Sequence, residues 1–203
     1  NPMVAQYGWE TTEISLAFSI AIFMLGFSAA FMGRFVEKQG PKKSAMLAAI
    51  FFSVGVAGSG LATAFESLFL LYVFYGVIGG IGLGIGYIAP VSTLVKWFPD
   101  RRGLATGLAI MGFGFAALLS GPAAAALIDM VGISNTFYVL GAVYFIVMIL
   151  AAQYLSPPPE GWAPKGFKES GQNGVRKIKA DLSQLTANEA IKTRRFWMLW
   201  CML

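Results

Sequence analysis

Long apolar runs, each ended abruptly by charged or turn-forming positions, dominate the chain. Ile14–Met32, Ser44–Ala64, Leu68–Val95, Leu104–Ile128 and Thr136–Leu155 contain no Asp, Glu, Lys or Arg. About 20 mostly apolar residues in a helix cross the hydrocarbon core of a bilayer, so each run is long enough to span. Strict alternation of apolar and polar positions, the mark of a membrane barrel strand, is absent. A further apolar run begins at Phe196 and continues to Leu203. The pattern predicts an all-α polytopic membrane protein, with five complete transmembrane helices and the start of a sixth.

Composition agrees. Charged residues make up 12% of the 203, against about a quarter in ordinary soluble domains. Mean hydropathy is +0.67. A soluble enzyme and a disordered chain are both excluded by these values. With no histidine and only Cys201 as a thiol, an internal disulfide and a structural zinc or iron–sulfur site are excluded as well, and no metal or cofactor is expected.

The net charge of +5 would suggest a nucleic-acid partner if the bases were clustered on a soluble face. They are not. Arg34, Lys38, Lys42 and Lys43 fall between spans one and two. Lys96, Arg101 and Arg102 fall between three and four. The eight others, among them Lys165, Lys177 and Arg195, follow span five. The opposite connections carry Glu10, Glu13, Glu66 and Asp129 and no base. This is the positive-inside asymmetry of a multi-pass membrane protein, and it places the basic connections in the cytoplasm. The basic residues are explained by the bilayer, and no nucleic acid is expected.

With that orientation Asn1 is external and Leu203 is entering the membrane from inside. The chain starts without Met and stops within an apolar run, so it is expected to be part of a longer protein with one helix before Asn1 and a second half after Leu203. Three regions follow: residues 1–155 as the transmembrane bundle, 156–193 as a cytoplasmic loop, and 194–203 as the start of the next span. The loop opens with Pro157-Pro158-Pro159 and carries scattered glycines, as flexible linkers do. Near its end Thr186-Ala187-Asn188-Glu189 has the spacing of a helix capping box, and a short amphipathic surface helix is expected there.

Two motifs carry more than topology. The first is Gly33-Arg-Phe-Val-Glu37-Lys38-Gln-Gly40-Pro41-Lys42-Lys43. Gly33 would let two helices approach closely, Glu37 could meet a positive helix end or an arginine, and Gly40 would permit a tight reversal. The segment resembles the loop between helices two and three of the major facilitator superfamily, G-x-x-x-D-R-x-G-x-K/R-K/R, with Glu37 for the usual Asp and Lys38 for the usual Arg. The second is Trp97-Phe98-Pro99-Asp100-Arg101-Arg102-Gly103-Leu104-Ala105 and onward to Gly112. It resembles the helix-five signature of monocarboxylate transporters, matching at Phe98, Arg101, Arg102, Leu104, Ala105, Gly107, Ala109 and Gly112 and departing at Trp97, Asp100 and Met111. The same stretch is similar to the oxalate/formate antiporter family. These resemblances cover essentially the whole chain, as helices two to six, the central loop and the first turns of helix seven.

The third span is dense in glycine. Gly76, Gly80 and Gly84 share one helix face, and Gly82 and Gly86 lie on another. Such positions let helices pack closely; they would also serve a helix that rocks, with Gly86 and Pro90 as a hinge because Pro90 frees the carbonyl of Gly86. The resemblance places this span as the fourth helix, which lines the central cavity, and makes Tyr87 the candidate substrate contact. A packing tyrosine is the plain alternative. In the fourth span Gly121-Pro122 is a second hinge candidate and implies a kinked, closely packed helix. Ala117, Ala125 and Ala126 replace the glycines of the antiporter pattern, so that motif does not by itself imply antiport.

The functional expectation is a secondary transporter of small organic anions, not an enzyme, because the five spans hold no acids, bases or metal ligands. The resemblance implies proton-coupled transport of a lactate-like monocarboxylate by alternating access, probing Gly33, Glu37, Lys38, Gly40, Lys42, Lys43, Arg101 and Arg102 as the gating motif. Oxalate/formate-type exchange is the alternative, and a membrane scaffold or channel is the competing class. The expected partners are a small carboxylate, protons, the bilayer and the rest of the same chain; the expected location is a bacterial inner membrane. The cation that holds the carboxylate is expected outside this sequence, since intramembrane charges are normally functional and none is present here.

Overall fold

The computed structural model describes residues 2–159, Trp162 and Thr193. A short helix α1 (Pro2–Tyr7) precedes five long ones: α2 (Thr11–Gln39), α3 (Pro41–Ala64), α4 (Leu68–Trp97), α5 (Arg102–Val131) and α6 (Ile133–Tyr154). Among the described residues no strand is present. All five long helices are apolar and long enough to cross a membrane. The expected surface helix at Thr186–Glu189, most of the central loop and the last apolar run lie outside the described residues. Residues 156–159 and Trp162 fall in the same compact unit as the bundle.

The helices overrun the apolar runs by a few residues at their ends. Backbone hydrogen bonding does not depend on side-chain polarity, and charged side chains reach the interface from the last turns. As a result Gly33 through Gln39 form the last turns of α2, not a loop. The chain reverses at Gly40, whose φ of 82° is a left-handed value that favours glycine. Pro41 then opens α3, where its missing N–H is no loss. At the other end of α2 the backbone N–H of Glu10 donates to the Glu13 carboxylate at 3.0 Å, one half of a capping box.

Cross-bonds define the two ends of the bundle. At one end the Tyr72 hydroxyl donates to the Glu13 carbonyl at 3.2 Å, and the Thr63 and Ser134 hydroxyls are hydrogen-bonded at 3.0 Å. Trp9, Ala17, Ala62 and Leu71 form the buried cluster there. At the other end the Trp97 indole N–H donates to the Ser156 carbonyl at 2.9 Å, near the cluster of Val36, Ala48, Ile85 and Ala89. The acids Glu10, Glu13 and Glu66 belong to the first end, and Lys38, Lys42, Lys43, Lys96 and Arg101 to the second.

The core is α4 held between α2 and α3 by its two glycine faces. A Cβ on Gly76 would stand 2.8 Å from the Ile20 side chain, and one on Gly80 would stand 2.7 Å from the Ala21 carbonyl oxygen; a Cβ on Gly84 would collide with the Ser28 hydroxyl. Those three face α2. On the other side Gly79 meets Gly55 of α3, and a Cβ on Gly82 would collide with the backbone of Phe52. Without a hydrophobic force between helices in lipid, such backbone-to-backbone packing supplies the association energy. The Ser28 hydroxyl also donates to the Ile81 carbonyl at 3.2 Å.

One irregularity was not visible in the sequence. Tyr72–Gly79 of α4 has the wide i→i+5 hydrogen-bonding of a π-helix, a rare form that recurs at functional sites. α4 is α-helical on both sides of it and continues through Pro90 to Trp97. α5 is helical throughout, including Gly121 and Pro122, and a Cβ on Gly121, Gly112 or Gly114 would meet nothing within 4 Å among the described residues. The fourth span is therefore not closely packed against the described residues. These three glycines meet none of the other described helices.

Candidate functional site

Tyr87 lies on α4 between Gly86 and Pro90. It is half-buried, and its ring packs on Phe113 of α5 with centroids 5.6 Å apart and planes tilted by 52°. Its hydroxyl makes no hydrogen bond with the described residues. The ring is thus held by packing while its donor is left over, an arrangement that serves either a packing residue or one that contacts a ligand.

A cavity of about 420 Å³ lies next to this contact. Its walls come from the middle of four helices: Phe52 of α3, Gly82 and Gly86 of α4, Phe113 and Ser120 of α5, and Tyr144 of α6. Phe52 and Tyr144 face each other across 5.7 Å. The lining contains no acid or base, and its polar side chains are Ser120 and Tyr144. Tyr87 is outside the lining and reaches it through Phe113. Such a chamber can give shape and hydroxyl donors to a small solute, but no charge to balance a carboxylate.

The hinge candidates separate. Pro90 removes the helical partner of the Gly86 carbonyl, and the hydroxyls of Ser92 and Thr93 both donate to the neighbouring Ala89 carbonyl, at 3.2 and 2.7 Å. A Cβ on Gly86 would find ordinary contacts, 3.5 Å to Ala48 and 3.8 Å to Met148. Gly86 is therefore not a forced close approach, unlike Gly82 and Gly84.

The residues of the expected gating motif make no ion pair with one another across helices among the described residues. Glu37, Lys38, Lys42 and Lys43 are exposed, as are Arg101 and Arg102. The ion pair among the described residues joins Asp100 to Arg101 at 3.6 Å; with the arginine side chain 71% exposed it contributes little. A Cβ on Gly33 would meet nothing within 4 Å, so no described helix approaches it closely. Gly40, by contrast, occupies the positive φ that the reversal requires.

Sequence reasoning missed Trp162. Its indole N–H donates to the Trp97 carbonyl at 3.2 Å, and the two indole rings meet edge-on at 5.2 Å. The only available signal was a tryptophan just after a proline run. No group of His, Cys, Asp and Glu that could hold a metal occurs among the described residues.

The sequence matches the Major Facilitator Superfamily over residues 1–203. The chain belongs to that superfamily. The oxalate:formate antiporter of Oxalobacter formigenes is 28% identical over 201 residues, covering 98% of this chain and 44% of the antiporter. An MFS-type transporter of Escherichia coli, YhjX, is 28% identical over 188 residues, or 93% of this chain and 43% of its own length. Human monocarboxylate transporter 7 is 26% identical over 152 residues, 75% of this chain and 28% of that protein. This facilitator chain thus spans a little under half the length of the bacterial relatives it matches. The oxalate/formate antiporter and monocarboxylate transporter families, which the second motif resembles, are both represented among these relatives.

Proposed function

We propose that the full-length protein is a secondary transporter of small organic anions, working by alternating access in a bacterial inner membrane. The observation that carries this reading is the superfamily match along the whole chain, with relatives named for oxalate, formate and monocarboxylates. The apolar chamber fits it in one respect. A half without intramembrane charge can supply shape, hydroxyls and movement, while a cation in the other half balances the carboxylate. In this reading Tyr87 donates to the substrate. Glu37 pairs with Arg101 or Arg102 in one conformation and biases the two-state equilibrium, with Gly33, Lys38, Gly40, Lys42 and Lys43 completing the gate. Gly86, Pro90, Gly121 and Pro122 are the bending points.

The substrate assigned first is a lactate-like monocarboxylate moved with a proton. A second reading, oxalate/formate-type exchange, is favoured by one observation: the antiporter relative aligns with 98% of this chain. One experiment separates them. Full-length protein in proteoliposomes is given labelled lactate with and without an inward proton gradient, and labelled oxalate against internal formate. Gradient-stimulated lactate uptake supports the first, and oxalate uptake that requires internal formate supports the second. If neither anion moves, a scaffold or a carrier of other solutes replaces both.

A further inference from the structure

After leaving α6 the chain returns to the end of α4, where two crossed hydrogen bonds hold it. The Trp97 indole N–H donates to the Ser156 carbonyl at 2.9 Å, and the Trp162 indole N–H donates back to the Trp97 carbonyl at 3.2 Å. That carbonyl stands at a helix end, where acceptors lack helical partners. The Arg101 N–H that would reach it donates to the Phe98 carbonyl instead. A side chain 65 positions further on therefore caps α4. The stem that carries this indole is stiff. Pro157, Pro158 and Pro159 each have a fixed φ, and the Trp162 N–H closes a turn on the Pro159 carbonyl at 3.1 Å. A pre-organised stem loses little freedom when its ring docks.

These bonds hold the part of α4 that lies beyond Pro90. Pro90 leaves the Gly86 carbonyl without its helical donor. A cavity of about 150 Å³ lies beside both residues, walled on its far side by Met148, Ala151 and Ala152 of α6. Residues 91–97 thus have a weak point at one end and room beside it. At the other end they are tied to Ser156, two residues past the end of α6. A permanent brace between α4 and α6 would need neither the weak point nor the space.

We propose that Trp162 is a positioning residue. With Trp97 it clasps the basic end of α4 to the end of α6, and α4 bends at Pro90 only when the clasp is open. Closed, the clasp holds residues 91–97 straight on the rest of α4. Open, it lets them pivot about Pro90. Its part in turnover rests on the transport function proposed above, but the clasp itself is readable without any solute.

Double electron–electron resonance on the full-length protein tests this, with spin labels at Lys96 and Tyr154 in a background without other cysteines. Both positions are exposed, at the two helix ends that the clasp joins. The parent should give one dominant short distance. Trp162→Phe keeps an aromatic ring against Trp97 and removes the donor. Trp97→Phe removes the other donor and keeps the backbone carbonyl. Losing one neutral hydrogen bond shifts an equilibrium by roughly two- to ten-fold. Each variant should therefore enrich a second, longer distance by that factor, and the double variant by more than either. Lactate exchange by Trp162→Phe in proteoliposomes should quicken by up to the same factor, with substrate affinity unchanged. If the parent moves neither lactate nor oxalate, the transport function fails while the distances still decide the clasp. Unchanged distances in both single variants overturn the proposal. So does a longer distance with an unchanged exchange rate in a protein that transports, which would make Trp162 a brace alone.

Discussion

The hydroxyl of Ser28 on α2 occupies the space that a Cβ on Gly84 of α4 would need. The same hydroxyl reaches 3.2 Å to the Ile81 carbonyl, one turn earlier on α4. Close packing and an interhelical hydrogen bond are therefore two uses of a single position, and each requires the glycine face.

Gly84→Ala should destabilise the bundle by about 1–3 kcal/mol, the usual cost of forcing a carbon into a packed interface. Adding Ser28→Gly should restore part of that loss and not all of it. The Leu25 carbonyl oxygen would still lie 2.5 Å from the new Cβ. Thermal unfolding of the two single variants and the double variant in detergent gives the coupling energy. Strictly additive effects would mean that the two helices separate readily at this point.

The distribution of the bases predicts that the Lys42 end of the bundle faces the cytoplasm. A single cysteine at Lys42, in a Cys201→Ser background, should be shielded from a membrane-impermeant thiol reagent in intact cells. Cysteines at Glu66 and Asp129 should be labelled. Modification at position 42 in intact cells would invert the bundle.

Much of this was legible in the sequence because the governing interactions are local or periodic. Uninterrupted apolar runs give the spans, and a spacing of four gives Gly76, Gly80 and Gly84 one face whatever they pack against. The π-helical turn at Tyr72–Gly79 was not legible, since the choice between i→i+4 and i→i+5 bonding is made by the neighbours on α2 and α3. Nor was the Trp97–Trp162 contact, which joins residues far apart in sequence and needs the return of the chain after α6. Gly33 and Gly121 show the opposite failure. A glycine has the same spacing signal whether or not a helix lies across from it, so close packing was expected at both and occurs at neither among the described residues.

Glu37 is exposed at the end of α2, with room for a partner that another conformation would bring to it. Glu37→Gln keeps the shape and removes the charge. It should slow transport in proteoliposomes while equilibrium substrate affinity stays within a few-fold, because a gate biases conformations and does not touch the solute. A large loss of affinity at an unchanged exchange rate would assign Glu37 to binding.

Tyr87 offers the most direct test of the candidate site. Its ring is fixed against Phe113 with centroids 5.6 Å apart, and that contact uses the aromatic face and edge but not the hydroxyl. Tyr87→Phe therefore keeps the packing and deletes a donor that bonds to no described residue. Expression and thermal stability should match the parent. If the phenol donates to a carboxylate whose charge is balanced from the other half of the protein, losing that bond costs about 1.5–3 kcal/mol, or roughly ten- to 150-fold in affinity. Phe113→Ala should weaken binding too, but with a loss of thermal stability, because it removes the surface that orients the ring. Substrate binding by Tyr87→Phe as tight as the parent's would make Tyr87 a packing residue, and the search for the substrate's donor would move to Ser120 and Tyr144 in the neighbouring chamber.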